Sequence, residues 1–121
     1  MLEILFTMAP IEGGWRLVPL NSEVARVYAE AQVSEAEWLC LDELWQRESS
    51  WQTRRTAYRA VNRSSGAYGI PQALPAEKMS SEGWDWKYNP ITQVRWGLKY
   101  IKERYGSACN ALTFHDKKGW Y

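Results

Sequence analysis

The sequence predicts a mainly α-helical fold. Apolar residues recur at helical spacing, almost no segment alternates with a period of two, and four segments begin with residues that cap helices. A chain of 121 residues is long enough for one modest core. We therefore expect one folded domain over residues 20–121, preceded by an irregular lead-in over residues 1–19.

Four helices follow from the capping residues. The first begins near Asn21 or Ser22. The second begins at Ser34, where Ser34 and Glu37 fit a capping box, and runs to about Ser50. The third helix has Asn89 as N-cap, Pro90 at the first helical position and Gly106 as its stop, and the fourth runs from Ser107 to Phe114. Two shorter helical pieces are expected, one within 51–63 and one from Pro75 to Met79.

The composition excludes several classes of function. The formal net charge is +1, which gives no global electrostatic reason to expect a nucleic acid or a membrane surface as partner. No apolar run reaches membrane-spanning length, so we expect no membrane insertion. Tryptophan is abundant, with 8 residues. We expect most of them in the core and one to three in contact with a ligand.

Glu48 is the strongest candidate for a catalytic residue. It follows Leu44 by four residues and Leu41 by seven, so it projects from the apolar face of the second helix. Burial against apolar groups raises a carboxyl pKa, which suits an acid that must protonate a leaving oxygen near neutral pH. The alternative is an ordinary helix carboxylate that pairs with Arg47 or Arg54.

The sequence around Glu48 resembles a known family. The string Glu48-Ser49-Ser50-Trp51, followed by Gly66-Ala67-Tyr68-Gly69-Ile70-Pro71-Gln72, is similar to the signature of soluble lytic transglycosylases in the lysozyme superfamily. Further strings resemble the actinobacterial and actinophage branch, and together the resemblance covers about residues 20–121. These strings are Cys40-Leu41-x-x-Leu44-Trp45, Asn89-Pro90-x-x-Gln93-x-x-Trp96-Gly97-Leu98-x-Tyr100-Ile101, Arg104-Tyr105-Gly106 and Gly119-Trp120-Tyr121.

This resemblance implies a compact lysozyme-like helical domain, of the goose-type and transglycosylase kind, with a substrate cleft. It gives Glu48 the role of catalytic acid and then base. Gln72 is expected to bind substrate or to position Glu48, and Tyr100 to face the opposite side of the cleft, near Phe114 and His115. One wall of the cleft is expected from four residues in sequence: Ser65, Gly66, Ala67 and Tyr68.

The resemblance also bears on the two cysteines, Cys40 and Cys109. Composition alone leaves open whether they are buried thiols or a disulfide. The matching positions look paired in the related branch, which implies a disulfide and an oxidising, extracytoplasmic setting. The first eight residues do not form a convincing signal peptide, so the cell wall and a phage virion or lysis system are both expected locations.

The implied activity is cleavage of the MurNAc-β-1,4-GlcNAc bond of peptidoglycan with formation of 1,6-anhydro-MurNAc ends. Two alternatives remain: a hydrolytic lysozyme, which needs a second carboxylate such as Asp85 or Glu77 in the cleft, and a non-catalytic peptidoglycan-binding module. We expect peptidoglycan glycan strands as the partner, a monomeric protein, and neither cofactor nor metal.

The chain departs from the family pattern between Trp51 and Asn62, where it is longer by about one helical turn or more. This insertion leaves the matching of Asn62 and Ser64 open. Its arginines, Arg54, Arg55 and Arg59, either contact anionic wall polymers or belong to a solvated surface segment. His115, the only histidine, is expected to be a surface residue.

Overall fold

A computed structural model describes residues 6–19, 21–51 and 57–121, and within them the chain is mainly helical. The two strands are β1 (Phe6–Ile11) and β2 (Gly14–Pro19). The α-helices are α1 (Ser22–Gln32), α2 (Glu35–Ser49), α3 (Pro90–Tyr105) and α4 (Ala108–Lys118), and two short 3₁₀ helices cover Ala57–Arg59 and Ala76–Glu82. None of the described helices has the length and apolar character needed to cross a membrane.

The predicted capping residues begin all four α-helices. Each cap side chain accepts a hydrogen bond from a backbone N–H in the first turn; the caps are Asn21, Ser34, Asn89 and Ser107. Only the end of α4 was predicted wrongly. The helix continues past Phe114 to Lys118 and ends at Gly119, whose left-handed backbone (φ +78°) is the usual helix stop.

The predicted capping box at α2 is half formed. The Ser34 hydroxyl accepts from the Glu37 N–H at 3.2 Å. The Glu37 carboxylate, however, accepts from the backbone N–H of Ala108 at 2.6 Å. It therefore satisfies the first turn of α4, where a negative charge also complements the helix dipole.

The prediction that residues 1–19 are irregular is wrong over residues 6–19, which form an antiparallel hairpin. Met8 pairs with Leu17 and Pro10 with Trp15, and the turn is formed by Glu12 and Gly13. Gly13 has φ +86°, a conformation that glycine adopts without steric cost. The pattern was missed because the apolar residues of this hairpin are exposed, with Trp15 67 % accessible, rather than buried against a core.

The core surrounds α2. Trp38, Leu41, Leu44 and Trp45 of this helix are buried, and Trp51 packs edge-on against Trp45 with ring centroids 5.3 Å apart. Each such side chain contributes roughly 1.5–3 kcal/mol on burial. The other helices complete the core with Ala25, Ala29, Val94, Ile101, Ala108 and Ala111. Three of the eight tryptophans are buried, so the expectation that most of them lie in the core is wrong.

Helices α2 and α4 lie side by side and run in the same direction. Cys40 and Cys109 form a disulfide near their N-terminal ends, with Cα atoms 4.9 Å apart, which confirms the predicted pairing. Near their C-terminal ends, Arg47 forms an ion pair with Asp116. This parallel arrangement brings the last turn of α2, which carries Glu48, against α4.

Candidate active site

Glu48 lies in the last turn of α2, at the edge of the core. Its side chain is 18 % exposed, and it lines a pocket of about 230 Å³ together with Asn62 and Gln72. The same helical face places Leu41 and Leu44 in the core. The helical periodicity that places Leu41 and Leu44 in the core therefore also places this carboxyl where it lines a pocket.

Burial raises the pKa of Glu48 from 4.5 to about 7. The cause is loss of hydration, which penalises the charged form. The alternative of a paired helix carboxylate does not hold for Arg47, whose guanidinium donates to Glu43 at 3.0 Å and to Asp116 at 2.5 Å. Arg54 lies outside the described residues. With this pKa, the carboxyl can give up a proton and take one back near neutral pH.

His115 lies beside Glu48. Its Nε2 is 3.3 Å from Glu48 Oε1, and its side chain is 16 % exposed. The expectation of a surface histidine is therefore wrong, because α4 extends far enough to bring His115 against α2. The sequence carried a signal for this contact: both helices were predicted, and the expected disulfide would set them side by side.

Tyr121 was also missed as a site residue. Its hydroxyl accepts from Trp45 Nε1 and donates to the carbonyl of Pro71, both at 2.8 Å. Burial, and then the nearby charge of Glu48, raise the pKa of Tyr121 well above 10, so its hydroxyl stays neutral. Tyr121 therefore joins the α2 core to the loop that carries Gln72.

Gln72 lines the same pocket as Glu48, and its predicted role in binding substrate or positioning Glu48 stays a prediction. Its backbone is left-handed (φ +54°), a conformation that costs free energy for a residue other than glycine. Its side-chain Nε2 donates to the carbonyls of Ala60 and Gly69. Gln72 thus fixes the loop, and in the described residues it makes no hydrogen bond to Glu48.

Tyr100 lines a second pocket of about 210 Å³, which Gln72 and Tyr121 also line. Tyr100 stacks on Trp96 with ring centroids 5.1 Å apart and an interplanar angle of 15°. Trp120 lies on the same pocket and is 51 % exposed. The two pockets share Gln72 and are therefore adjacent; together they are called the groove here. Trp96 and Trp120 are aromatic candidates that the predicted site residues did not include.

The segment from Ser65 to Tyr68 lines neither of these two pockets. Ser65 and Gly66 are exposed in a turn closed by Asn62, whose backbone carbonyl accepts from the Gly66 N–H at 2.7 Å. Ala67 is buried, and the Tyr68 hydroxyl donates to the carbonyl of Lys87. Gly66 has φ +83° with open space where a Cβ would be, so the turn itself accounts for this glycine.

Two buried polar side chains hold the loop of residues 69–72 against the helices. Ser49 Oγ donates to the Ile70 carbonyl at 2.9 Å, and Gln93 Oε1 accepts from the Ile70 N–H at 3.0 Å. A Cβ at Gly69 (φ +77°) would collide with the Gln93 side chain. Ser49 and Gly69, both within the family-like strings, therefore have clear structural roles next to Glu48.

Neither candidate for a second carboxylate lines the two pockets. Asp85 accepts from Asn89 Nδ2 at 2.9 Å and from Thr92 Oγ1 at 2.7 Å, so it stabilises the start of α3. Glu77 is exposed on the second 3₁₀ helix. Among the described residues lining the two pockets, Glu48 is the only acidic one.

Comparisons with protein-family models, curated proteins and solved structures found no match to this chain. The functional interpretation therefore depends on the geometry around Glu48 and on the motif resemblance.

Proposed function

We propose that this chain is a peptidoglycan-cleaving muramidase with a lysozyme-like fold, related to lytic transglycosylases, with Glu48 as its acid and base. The observation that carries the proposal is a largely buried carboxyl that lines an open pocket and whose pKa burial raises to about 7. A carboxyl with this pKa is suited to general acid and base catalysis at neutral pH. The family-like strings around Glu48 then select glycan cleavage among the reactions that such an acid can perform.

In the proposed reaction, protonated Glu48 donates its proton to the glycosidic oxygen between MurNAc and GlcNAc, and the C1–O bond breaks. The acetamido group of the substrate stabilises the oxocarbenium-like C1. The Glu48 carboxylate then takes the proton of the C6 hydroxyl as O6 bonds to C1. The products are a 1,6-anhydro-MurNAc end and a free GlcNAc hydroxyl, and Glu48 is again protonated.

The transglycosylase route is favoured over hydrolysis because one carboxylate suffices for it. Hydrolysis by the two-carboxylate routes needs a second acid about 5–9 Å away. Asp85 is engaged at the start of α3, and among the described residues that line the two pockets Glu48 is the only acidic one. Intramolecular attack by O6 removes the need to activate a water molecule.

The aromatic part of the groove fits the substrate class. The stacked Trp96 and Tyr100 rings and the exposed Trp120 offer apolar faces on which sugar rings can stack. Lys78 and Arg104 line the same pocket and are exposed. Their charge suits the carboxylates of MurNAc and of the stem peptides. The partner is then a peptidoglycan glycan strand bound by a monomer, and no cofactor is required.

The proposed location is extracytoplasmic, in the cell wall or in a phage virion or lysis system. The Cys40–Cys109 disulfide supports this proposal because such bonds persist in oxidising compartments.

The test is mass spectrometry of soluble fragments released from purified actinobacterial peptidoglycan. Wild type, Glu48→Gln and the control Glu30→Gln are compared at equal folded concentration, since Glu30 is exposed on α1, away from the groove. We expect 1,6-anhydromuropeptides from wild type and Glu30→Gln, and at least about a hundredfold less from Glu48→Gln.

Other results would lead to different conclusions. Reducing-end muropeptides would make the protein a hydrolytic lysozyme. Binding to peptidoglycan without release of fragments by wild type would leave a wall-binding module and refute the enzyme proposal.

A further inference from the structure

We propose that His115, held by Arg47, is a positioning residue that hydrogen-bonds the Glu48 carboxylate after Glu48 has given up its proton. This inference rests on the proposed function, and no family-like string includes His115 or Arg47 in this role. The contact between α2 and α4 carries it: His115 Nε2 lies 3.3 Å from Glu48 Oε1, and His115 Nδ1 lies 3.3 Å from Arg47 Nη1.

Arg47 determines which ring nitrogen carries the hydrogen. A guanidinium has only donors, so Nη1 can approach Nδ1 closely only if Nδ1 offers its lone pair. The hydrogen of the neutral ring is then on Nε2, the nitrogen that faces Glu48. The side chain of His115 is therefore presented to Glu48 as a hydrogen-bond donor.

The guanidinium is also held by two carboxylates, one of which contacts the same Nη1 that faces His115. Arg47 Nη1 pairs with Asp116 at 2.5 Å, and Arg47 Nε donates to Glu43 at 3.0 Å. Asp116 follows His115 on α4, while Glu43 precedes Arg47 by one turn on α2. One arginine thus links both helices and orients the ring between them, as the partner of a catalytic or ligating histidine commonly does.

The separation of 3.3 Å is longer than the roughly 2.7–2.9 Å of a charge-assisted hydrogen bond. Catalytic hydrogen bonds are often long in the free enzyme and shorten during reaction. A protonated Glu48 gains little from the donor, whereas the carboxylate left after proton transfer gains a strong hydrogen bond. His115 therefore favours the state of Glu48 that acts as the base.

Among the described residues, the charged and titratable groups around this contact come from α2, from α4 and from the chain that follows α4. Helix α2 contributes Glu43 and Arg47, and α4 contributes Asp116. The chain that follows α4 contributes Tyr121, which stays neutral because burial raises its pKa. Among these described groups, the His115 donor is the contact placed to oppose the effect of burial on the pKa of Glu48.

The first measurement needs neither a variant nor activity. Long-range ¹H–¹⁵N NMR of wild type at about pH 7.5 reports which nitrogen of His115 carries the hydrogen. We expect the hydrogen on Nε2. A hydrogen on Nδ1 would overturn the proposal, whether or not the protein cleaves peptidoglycan.

The second measurement is the ¹³C NMR titration of the Glu48 carboxyl in wild type, His115→Phe and His115→Gln. Removal of the donor in His115→Phe should raise the pKa of Glu48 by about 0.5–1 unit, and the amide donor of His115→Gln should restore most of the difference. If His115→Phe does not fold, His115→Ala replaces it, and the same rise in the pKa of Glu48 is expected because this variant also lacks the donor. The proposal would be overturned if the pKa of Glu48 were unchanged in the folded variant that lacks the donor, or if it were lower there than in wild type.

The third measurement is the pH dependence of fragment release. In His115→Phe we expect kcat to fall roughly tenfold, KM to change less than about twofold, and the alkaline limb to shift with the Glu48 pKa. His115→Gln should recover most of kcat. If wild type releases no fragments, the proposed function fails, while the two NMR measurements still decide whether His115 holds Glu48.

Discussion

Helices α2 and α4 meet at both of their ends, and the two ends are built differently. At the N-terminal end, the Cys40–Cys109 disulfide joins the helices, and Glu37 accepts from the Ala108 N–H at 2.6 Å. At the C-terminal end, Glu48 is largely buried and has a raised pKa, and His115 Nε2 lies 3.3 Å from its Oε1. The first end stabilises the pair, and the second holds a group that is costly to keep charged.

The difference shows how a small domain can keep such a carboxyl. Above its pKa, charging Glu48 in the folded state costs about 3 kcal/mol relative to the unfolded chain. Closing a loop between residues separated by 69 positions contributes about 4 kcal/mol, and Glu37 adds to it. The disulfide therefore offsets at one end of the helix pair what Glu48 costs at the other.

The largest effect is expected from removal of the disulfide. Cys40→Ser with Cys109→Ser should lower the free energy of unfolding by about 4 kcal/mol, because the unfolded chain regains the entropy of an open loop. Denaturant unfolding at neutral pH measures this loss. In the absence of denaturant, the pKa of Glu48 should stay near 7 as long as the variant is folded.

Wild type treated with a reductant is the matched control and should lose a similar amount. If both proteins lose less than about 1 kcal/mol, the N-terminal end is not what stabilises the pair, and the contrast between the ends fails.

The second effect concerns the pH dependence of stability. Glu48 has a pKa of about 7 in the folded protein and 4.5 as its ordinary value. Between these values the folded state binds more protons, so stability falls as pH rises from about 4.5 to about 7. Relative to wild type, Glu48→Gln should therefore gain about 3 kcal/mol between roughly pH 4 and pH 8.

Thermal or denaturant unfolding at both pH values measures this gain. Glu30→Gln controls for the loss of one exposed carboxylate and should show no comparable change. If the free energies of unfolding of Glu48→Gln and wild type differ by the same amount at both pH values, the pKa of Glu48 is not raised in the folded protein.

Much of the fold could be predicted because the relevant signals are local. Asn21, Ser34, Asn89 and Ser107 cap helices through short-range hydrogen bonds that sequence spacing reveals. The hairpin of β1 and β2 was missed because its apolar side chains are exposed rather than buried against a core, although Gly13 and Gly14 were visible in the sequence as turn residues.

The candidate site was predictable only in part. Glu48 stands out because a carboxylate on an apolar helical stripe is unusual, and Gln72 and Tyr100 came from the motif resemblance. The other site residues contact partners far away in the sequence. His115 contacts Glu48 across 67 residues, Tyr121 contacts Trp45 across 76, and Gln93 contacts Ile70 across 23. Such pairings depend on how helices pack, which spacing within one segment does not encode.

The third effect concerns Glu37. Glu37→Ala should lower the free energy of unfolding by about 1–2 kcal/mol, because the N–H of Ala108 loses a charged acceptor at the start of α4. Denaturant unfolding measures the loss, and Glu35→Ala, which removes an exposed carboxylate from the same turn of α2, is the control. Equal losses in the two variants would show that the contact with Ala108 contributes nothing.

The smallest effect on stability is expected from Arg47, and it tests the C-terminal end. The Arg47–Asp116 pair is exposed, so Arg47→Met should cost between zero and about 1 kcal/mol after screening by solvent. The same change removes the donor that holds His115 Nδ1, so the ¹⁵N shifts of the ring should move toward a mixture of tautomers. A loss above about 2 kcal/mol with unchanged ring shifts would mean that Arg47 stabilises the helix pair as Cys40 and Glu37 do. The two ends would then serve the same purpose, whereas the expected result places stability at one end and the orientation of Glu48 at the other.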